Sequence, residues 1–343
     1  MNNRLFYFCF LLSIALFACK PDAQQTITTD DFKGVFVVNE GGFGKANGSI
    51  GLYKPGSQQY FDAYKTANGI ALGDVVQSMT LIDGKYYIAV NNSNKIEVVN
   101  QADFKSVTSI AITSPRYVLP TSYYNKAYVS NFYSNSVKVL DLNTKTITKS
   151  IEIFHNSDQM ALMNKKVYIT TFDNKLMVLN SVNDSLVDSI QTASGLSKIV
   201  NIGASKLAVL CTGVVDWNNG TVIENGKIQI INLGNIVESS FNLSSGSYGG
   251  SMVYANSLNA LLFSLGDNKI IKMAFDGTMT DWLVLPTGQS VYGLNWDAQN
   301  AQLYISDAGD FNANGKVYVY DAMANKVKEI NAGIAPNGVV LNP

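Results

Sequence analysis

Residues 34–343 are predicted to fold as an all-β, seven-bladed β-propeller whose ring closes by pairing of the N- and C-terminal strands. Three observations predict it. A tyrosine-centred strand recurs at a steady interval, with Tyr87, Tyr128 and Tyr168 spaced 41 and 40 residues apart. Each is followed by a second alternating run, at 95–99, 136–140 and 175–179. Alternation at period two marks half-buried strands, and a four-strand unit of about 40–50 residues is a propeller blade. Shared among seven units, residues 34–343 give about 44 residues each, which matches the period.

Composition agrees. Of 343 residues, 47% are hydrophobic and only 15% charged, with 18 Tyr and 16 Phe; ordinary soluble chains carry about 25% charged residues. Such a chain can fill a large core. The net charge is −1 and no Lys/Arg run stands out, so the basic footprint of a nucleic-acid binder is missing.

From the start of the chain, Arg4 precedes an apolar stretch from Leu5 to Leu16 broken only by Ser13. That is short of the ~20 residues a spanning helix needs and has the length of a signal-peptide core. It ends Leu16-Phe17-Ala18-Cys19, which resembles a bacterial lipobox and implies cleavage after residue 18 and acylation of Cys19. The expected organisation is a lipoprotein signal peptide at 1–18, a lipidated flexible tether at 19–33 and the propeller at 34–343. Lys20 to Asp31 is polar, as a tether should be, and Lys20-Pro21-Asp22 resembles the surface-export signals of some Gram-negative lipoproteins. Cys9 falls in the leader, so no internal disulfide framework can form, and Cys211 reads as a small apolar residue in a strand.

The first unit has the strand Val35-Phe36-Val37-Val38 but lacks one before it. Asn337-Gly338-Val339-Val340-Leu341 can supply it, which would remove the exposed sheet edge. Asp83-Gly84, Asn125-Lys126 and Asn143-Thr144 are turn signals between strands. Later units begin near Ser197, Gly250 and Ser290, with second strands at 207–210, 261–265 and 303–306. No long amphipathic helix is expected.

In this topology the loops between second and third strands share one face with the connections between blades, and loops on a rigid scaffold concentrate binding residues. Three of these loops are long. They contribute Asn39, Glu40 and Phe43 (39–48), Trp217 (212–226), and Asp307 and Phe311 (307–315). Shorter loops contribute Asn92, Asn131, Phe132, Tyr133, Phe172 and Asp173, and blade connections Arg116, Tyr248 and Tyr292. An aromatic, amide-rich mouth suits a flat, hydrogen-bonding ligand such as a sugar or a macrocycle.

Catalytic patterns are weaker. The one histidine, His155, sits in Ile153-Phe154-His155-Asn156-Ser157 with no nucleophile motif, and zinc-ligand spacing is missing. Gly41 to Lys45 lacks the spacing of a phosphate loop. Asp310, Asn312 and Asn314 followed by Gly315, with Asp321 at the twelfth position, resemble a calcium loop, although 317–320 reads as a strand. A metal-dependent lactonase or lyase would need Glu40, Asp74, Asp173 and Asp307 to converge on the axis. The chain is therefore expected to bind rather than catalyse, with no catalytic cofactor.

The unit Ala127-Tyr128-Val129-Ser130-Asn131 with Ser136-Val137-Lys138-Val139-Leu140-Asp141 resembles the Tyr-Val-Thr-Asn repeat of surface-layer and YncE-like propellers. Three further stretches form a narrower signature: Phe36-Val37-Val38-Asn39-Glu40-Gly41-Gly42-Phe43-Gly44, Asn47-Gly48-Ser49-Ile50, and Leu72-Gly73-Asp74-Val75-Val76-Gln77-Ser78-Met79. They resemble a group of propeller lipoproteins that includes the BtuG-type cobalamin-capture proteins of Gram-negative gut bacteria. The resemblance implies an outer-membrane lipoprotein facing the exterior. It would bind cobalamin or a related corrinoid and pass it to a TonB-dependent transporter. A glycan or a protein partner is the alternative ligand.

Overall fold

The computed structural model describes residues 32–342 apart from 122, 123 and 248. The expected signal peptide, Cys19 and Tyr248 lie outside the described residues. Seven four-stranded antiparallel sheets stand around one axis. From axis to rim, blade 1 runs Pro336–Asn342, Gly34–Asn39, Ser49–Lys54 and Gln59–Asp62. Blade 2 runs Val76–Ile82, Lys85–Val90, Lys95–Asn100 and Ser106–Ala111, and blade 3 Pro115–Pro120, Lys126–Asn131, Ser136–Asp141 and Thr146–Glu152. Blade 4 runs Ser157–Met163, Lys166–Thr171, Lys175–Asn180 and Ser185–Gln191. Blade 5 runs Leu196–Gly203, Lys206–Cys211, Lys227–Ile231 and Val237–Asn242, with an extra hairpin of Val214–Val215 and Val222–Glu224. Blade 6 runs Ser251–Ala255, Ala260–Ser264, Lys269–Met273 and Met279–Val284, and blade 7 Gly293–Asp297, Gln302–Asp307, Asn314–Asp321 and Lys326–Ile334. The innermost strands of neighbouring blades lie against one another all the way round.

The expected closure is present. Gly34 pairs with Asn342, Phe36 with Val340 and Val38 with Gly338, so the last strand completes the first blade. Just before the first strand, Phe32 is buried and stacked 5.6 Å from Phe104, and its carbonyl accepts from Asn342 Nδ2 at 2.8 Å.

Burial explains the periodicity. Second strands such as Lys85–Val90 and Lys206–Cys211 are buried on both faces, being covered by a blade on either side, whereas outer strands alternate. Among the described residues the apolar core divides into seven clusters, one per seam between blades. The recurrent tyrosines cross these seams. The Tyr128 hydroxyl donates to Asp184 in the next blade, and the Tyr168 hydroxyl to Asn235 Oδ1 at 2.8 Å in the one after. Burial, followed by the Asp184 carboxylate, raises the Tyr128 phenol pKa. Cys211 lies in the seam between blades 4 and 5, where burial pushes its thiol up to about 12.

One short helix, Ala63–Asn68, links blades 1 and 2. Asp62 accepts from the Lys65 amide at its start, and Gly69 closes it in the left-handed conformation at φ 74°. Tyr64 and Ala67 dock into the first seam.

A chain ending at residue 335 loses the closing strand and leaves Gly34–Asn39 as an open, apolar edge. It is expected to lose cooperative thermal unfolding and to elute as oligomers in size-exclusion chromatography. A monomer with unchanged melting would contradict the closure argument.

Candidate functional site

Each innermost strand begins on the loop face, and five of the seven begin irregularly. One extra residue is inserted opposite the neighbouring strand between Val76 and Ser78, Pro115 and Val118, Ser157 and Met160, and Leu196 and Lys198. The same occurs at Asn337, between the partners of Val38 and Asn39. A bulge bends its strand and re-aims its side chains. Here it turns polar residues inward: Gln77, Arg116, Tyr117, Asp158, Gln159, Ser197, Lys198 and Asn337 all line one axial cavity of about 970 Å³. Blade 7 packs tightly on blade 1 at this level, since a Cβ at Gly293 would stand 2.0 Å from the Asn337 carbonyl oxygen.

The inward groups of blades 1 to 4 bond to one another. Arg116 donates through Nε to Asp158 Oδ1 at 2.7 Å and through a terminal nitrogen to Gln77 Oε1 at 2.6 Å. Asn337 Nδ2 donates to Glu40 Oε1 at 2.8 Å and to the Gln77 carbonyl at 2.9 Å. The Tyr292 hydroxyl donates to Glu40 Oε2 at 2.9 Å. Burial opposes the Arg116 charge, but the Asp158 carboxylate outweighs it and the guanidinium pKa lies above its ordinary value. Burial, then the Glu40 carboxylate, raises the Tyr292 phenol.

Aromatic rings surround the opening. Tyr292 and Phe311 line the cavity and meet edge to face at 5.0 Å. Phe132 packs edge to face with Tyr133 at 4.5 Å and with Phe172 at 5.0 Å, beneath the Arg116 guanidinium 5.5 Å from its ring centroid. Phe43, Tyr133 and Trp217 are 79%, 72% and 81% exposed. Trp217 sits on the extra hairpin of blade 5, whose Val215 and Gly220 line the cavity.

Thus Glu40, Arg116, Tyr292 and Phe311 are brought together, while Phe43, Phe132, Tyr133, Phe172 and Trp217 lie on the loops around them. Other expected ligand residues do not line the cavity and bond elsewhere in the loops. Asn39 is fully buried; its Nδ2 donates to Ser49 Oγ and Tyr60 Oη, each at 3.1 Å, and its Oδ1 accepts from the Gly333 amide at 2.8 Å. Asn131 is fully buried and donates to the Thr113 carbonyl at 2.6 Å. Asp307 is 6% exposed and accepts from the Gly309 amide at 3.0 Å and from Ser290 Oγ at 3.2 Å. Asn92 donates to Asp74 Oδ2 at 2.6 Å, and Asp173 pairs at 2.6 Å with His155 Nδ1.

The calcium pattern is not assembled. Asp310 Oδ1 accepts from the Asn312 and Ala313 amides, each at 2.9 Å, which lowers its pKa. Asn314 and Asp321 stand at opposite ends of one strand, about 23 Å apart at roughly 3.3 Å per residue. Asp321 instead caps the next turn through the Met323 and Asn325 amides. The four carboxylates of the enzyme reading are also dispersed: of Glu40, Asp74, Asp173 and Asp307, Glu40 alone lines the cavity.

Loop-centred reasoning missed Gln77, Asp158, Ser197, Lys198 and Asn337. Their signal was a polar pair opening an otherwise apolar strand: Gln77-Ser78, Asp158-Gln159, Ser197-Lys198. Removing one partner of the part-buried Arg116–Asp158 pair strands the other charge. Arg116→Met is expected to cost about 3 kcal/mol in urea denaturation, and Arg116→Met with Asp158→Leu less than the single change. An additive double variant would disprove the coupling.

Solved structures of similar shape are far in sequence. A hydrazine synthase from Kuenenia stuttgartiensis is 16% identical with a TM-score of 0.65, over 78% of this chain and 92% of that one. A quinoprotein alcohol dehydrogenase-like protein from Bacteroides thetaiotaomicron is 15% identical with a TM-score of 0.70, over 92% of this chain and 79% of that one. The computationally designed protein Ika8 is 12% identical with a TM-score of 0.58, over 92% and 90%. At these identities the likeness shows the propeller fold alone. A search of curated proteins finds no match. The family model described as "Domain of unknown function (DUF5074)" matches residues 33–335, and the chain belongs to that family.

Proposed function

We propose that this chain is a capture protein that holds a corrinoid such as cobalamin across the mouth of its axial cavity. In this reading it is anchored through lipid on Cys19 to the outer face of the outer membrane and delivers its ligand to a TonB-dependent transporter. The observation that carries the binding role is the ring of aromatic loops around a cavity whose polar wall is largely satisfied by its own hydrogen bonds. About 970 Å³ is at the upper end of small-ligand sites. Large aromatic side chains left exposed around one opening favour contact with a partner over contact with water. A corrin is a broad apolar ring edged with amides. It would lay its face on Phe43, Phe311 and Trp217 and present its edge to Glu40 and Arg116.

The signature that carries the resemblance supports the same site. Its separate stretches meet at the mouth: the Gly44 amide donates to Asp74 Oδ2 at 2.9 Å, the Gly48 amide to the Gly73 carbonyl at 2.9 Å, and the Val76 amide to the Glu40 carbonyl at 3.2 Å. These bonds hold Glu40 and Gln77 against the cavity.

Calorimetric titration of the full chain in detergent with cyanocobalamin is expected to give one-to-one binding. Phe43→Ala, Phe311→Ala and Trp217→Ala should each weaken it about tenfold, equivalent to about 1.4 kcal/mol. No heat at high micromolar ligand would overturn the corrinoid reading and move glycans and protein partners forward. Metabolic labelling with palmitate is expected to mark the wild-type chain and to spare Cys19→Ala; equal labelling of both would end the anchor proposal.

A further inference from the structure

The five bulges do not end alike. In blades 1 to 4 the inward groups close on one another through Asn337, Gln77, Arg116 and Asp158. In blade 5 the bulge sets Ser197 and Lys198 against the cavity. Among the described residues neither the Ser197 hydroxyl nor the Lys198 ammonium has a hydrogen-bond or ion-pair partner, and both residues are half-buried. The cavity's carboxylates are already engaged, Asp158 by Arg116 and Glu40 by Tyr292 and Asn337.

The wall from blade 5 round to blade 7 is otherwise uncharged. It includes Gly246, Gly249, Gly250, Gly266 and Gly293, which contribute no side chain to the lining. An ammonium without a counter-charge in a cavity attracts anions, and one entering beside it gains charge-assisted hydrogen bonds.

We propose that this side of the axial cavity is an oxyanion subsite, in which Lys198 and Ser197 hold a phosphate or carboxylate group borne by the captured ligand. The proposal rests on the axial cavity being the ligand site. It divides that site in two: an aromatic mouth for the flat body of the ligand, and a cationic, glycine-walled side for one anionic arm.

Two measurements on the full chain in detergent test it. In the first, amine acetylation is followed by mass spectrometry, with sodium phosphate compared against sodium chloride at matched ionic strength. Phosphate is expected to protect Lys198 several-fold and to leave the exposed Lys45 unaffected. Equal labelling of Lys198 in the two salts would overturn the subsite. In the second, Lys198→Gln is titrated with cyanocobalamin, which carries a phosphodiester, and with cobinamide, which lacks it. The variant is expected to lose about tenfold for the first and nothing for the second. Equal losses would show that the ligand's anionic arm is not held by Lys198. Phosphate protection without corrinoid binding would leave the subsite standing and remove only the corrinoid reading.

Discussion

The pairing of Pro336–Asn342 with Gly34–Asn39 is the constraint on which the rest depends. Without it the first blade has three strands, an open edge and no wall toward the axis. With it, the last strand delivers Asn337 to a position where its amide reaches Glu40, 297 residues away in sequence, and the backbone of Gln77. The same pairing that covers the inner edge of Gly34–Asn39 therefore completes the polar lining of the cavity. Closure brings together the most distant parts of the chain, so its loop entropy must be met before its contacts form. Buried Asn39 shows how the junction is secured: one amide ties the first blade to Gly333 just before the last strand.

The bulges solve a second problem. A regular strand near the axis would alternate its side chains between the two neighbouring seams, and polar groups would fall into apolar clusters. Inserting one residue at the top of the strand lets Gln77, Arg116, Asp158 and Asn337 face the cavity while the apolar Met79, Val118 and Val339 below them still pack into the seam clusters. The Arg116–Asp158 pair then contributes position more than stability, because desolvation offsets much of its attraction. It holds the guanidinium over Phe132 and fixes one side of the mouth.

The propeller was legible because seams demand repetition: Tyr128 and Tyr168 each cross to the next blade, and that geometry imposes the spacing seen in the sequence. The missing first strand and its C-terminal replacement were legible for the same reason. The site was legible only in part. Asn39, Asn131 and Asp307 are polar and lie at strand ends on the loop face, as the cavity-lining Glu40 does, yet their side chains satisfy backbone groups in tight connections, which is what short amides and carboxylates do best. The Asp310 to Asp321 pattern failed because a strand, not a coiled loop, spans it. The axial residues were hidden because period-two reasoning assigns strand residues to seams and has no place for a bulge. The Ala63–Asn68 helix, at six residues, is too short to show a period.

The apolar core and the polar axial cavity thus occupy different parts of the molecule. Each seam has its own apolar cluster, so the ring does not need the axial groups for its core. That separation leaves the start of each innermost strand available for chemistry, one position per blade. In this chain four blades use it to bond to each other and build a rigid wall. Blade 5 alone combines an unpartnered cation at that position with an added hairpin above it, whose Val215 and Gly220 face the cavity. Two departures from seven-fold regularity thus coincide on blade 5, and under the proposed reading that asymmetry would orient a ligand entering the axis.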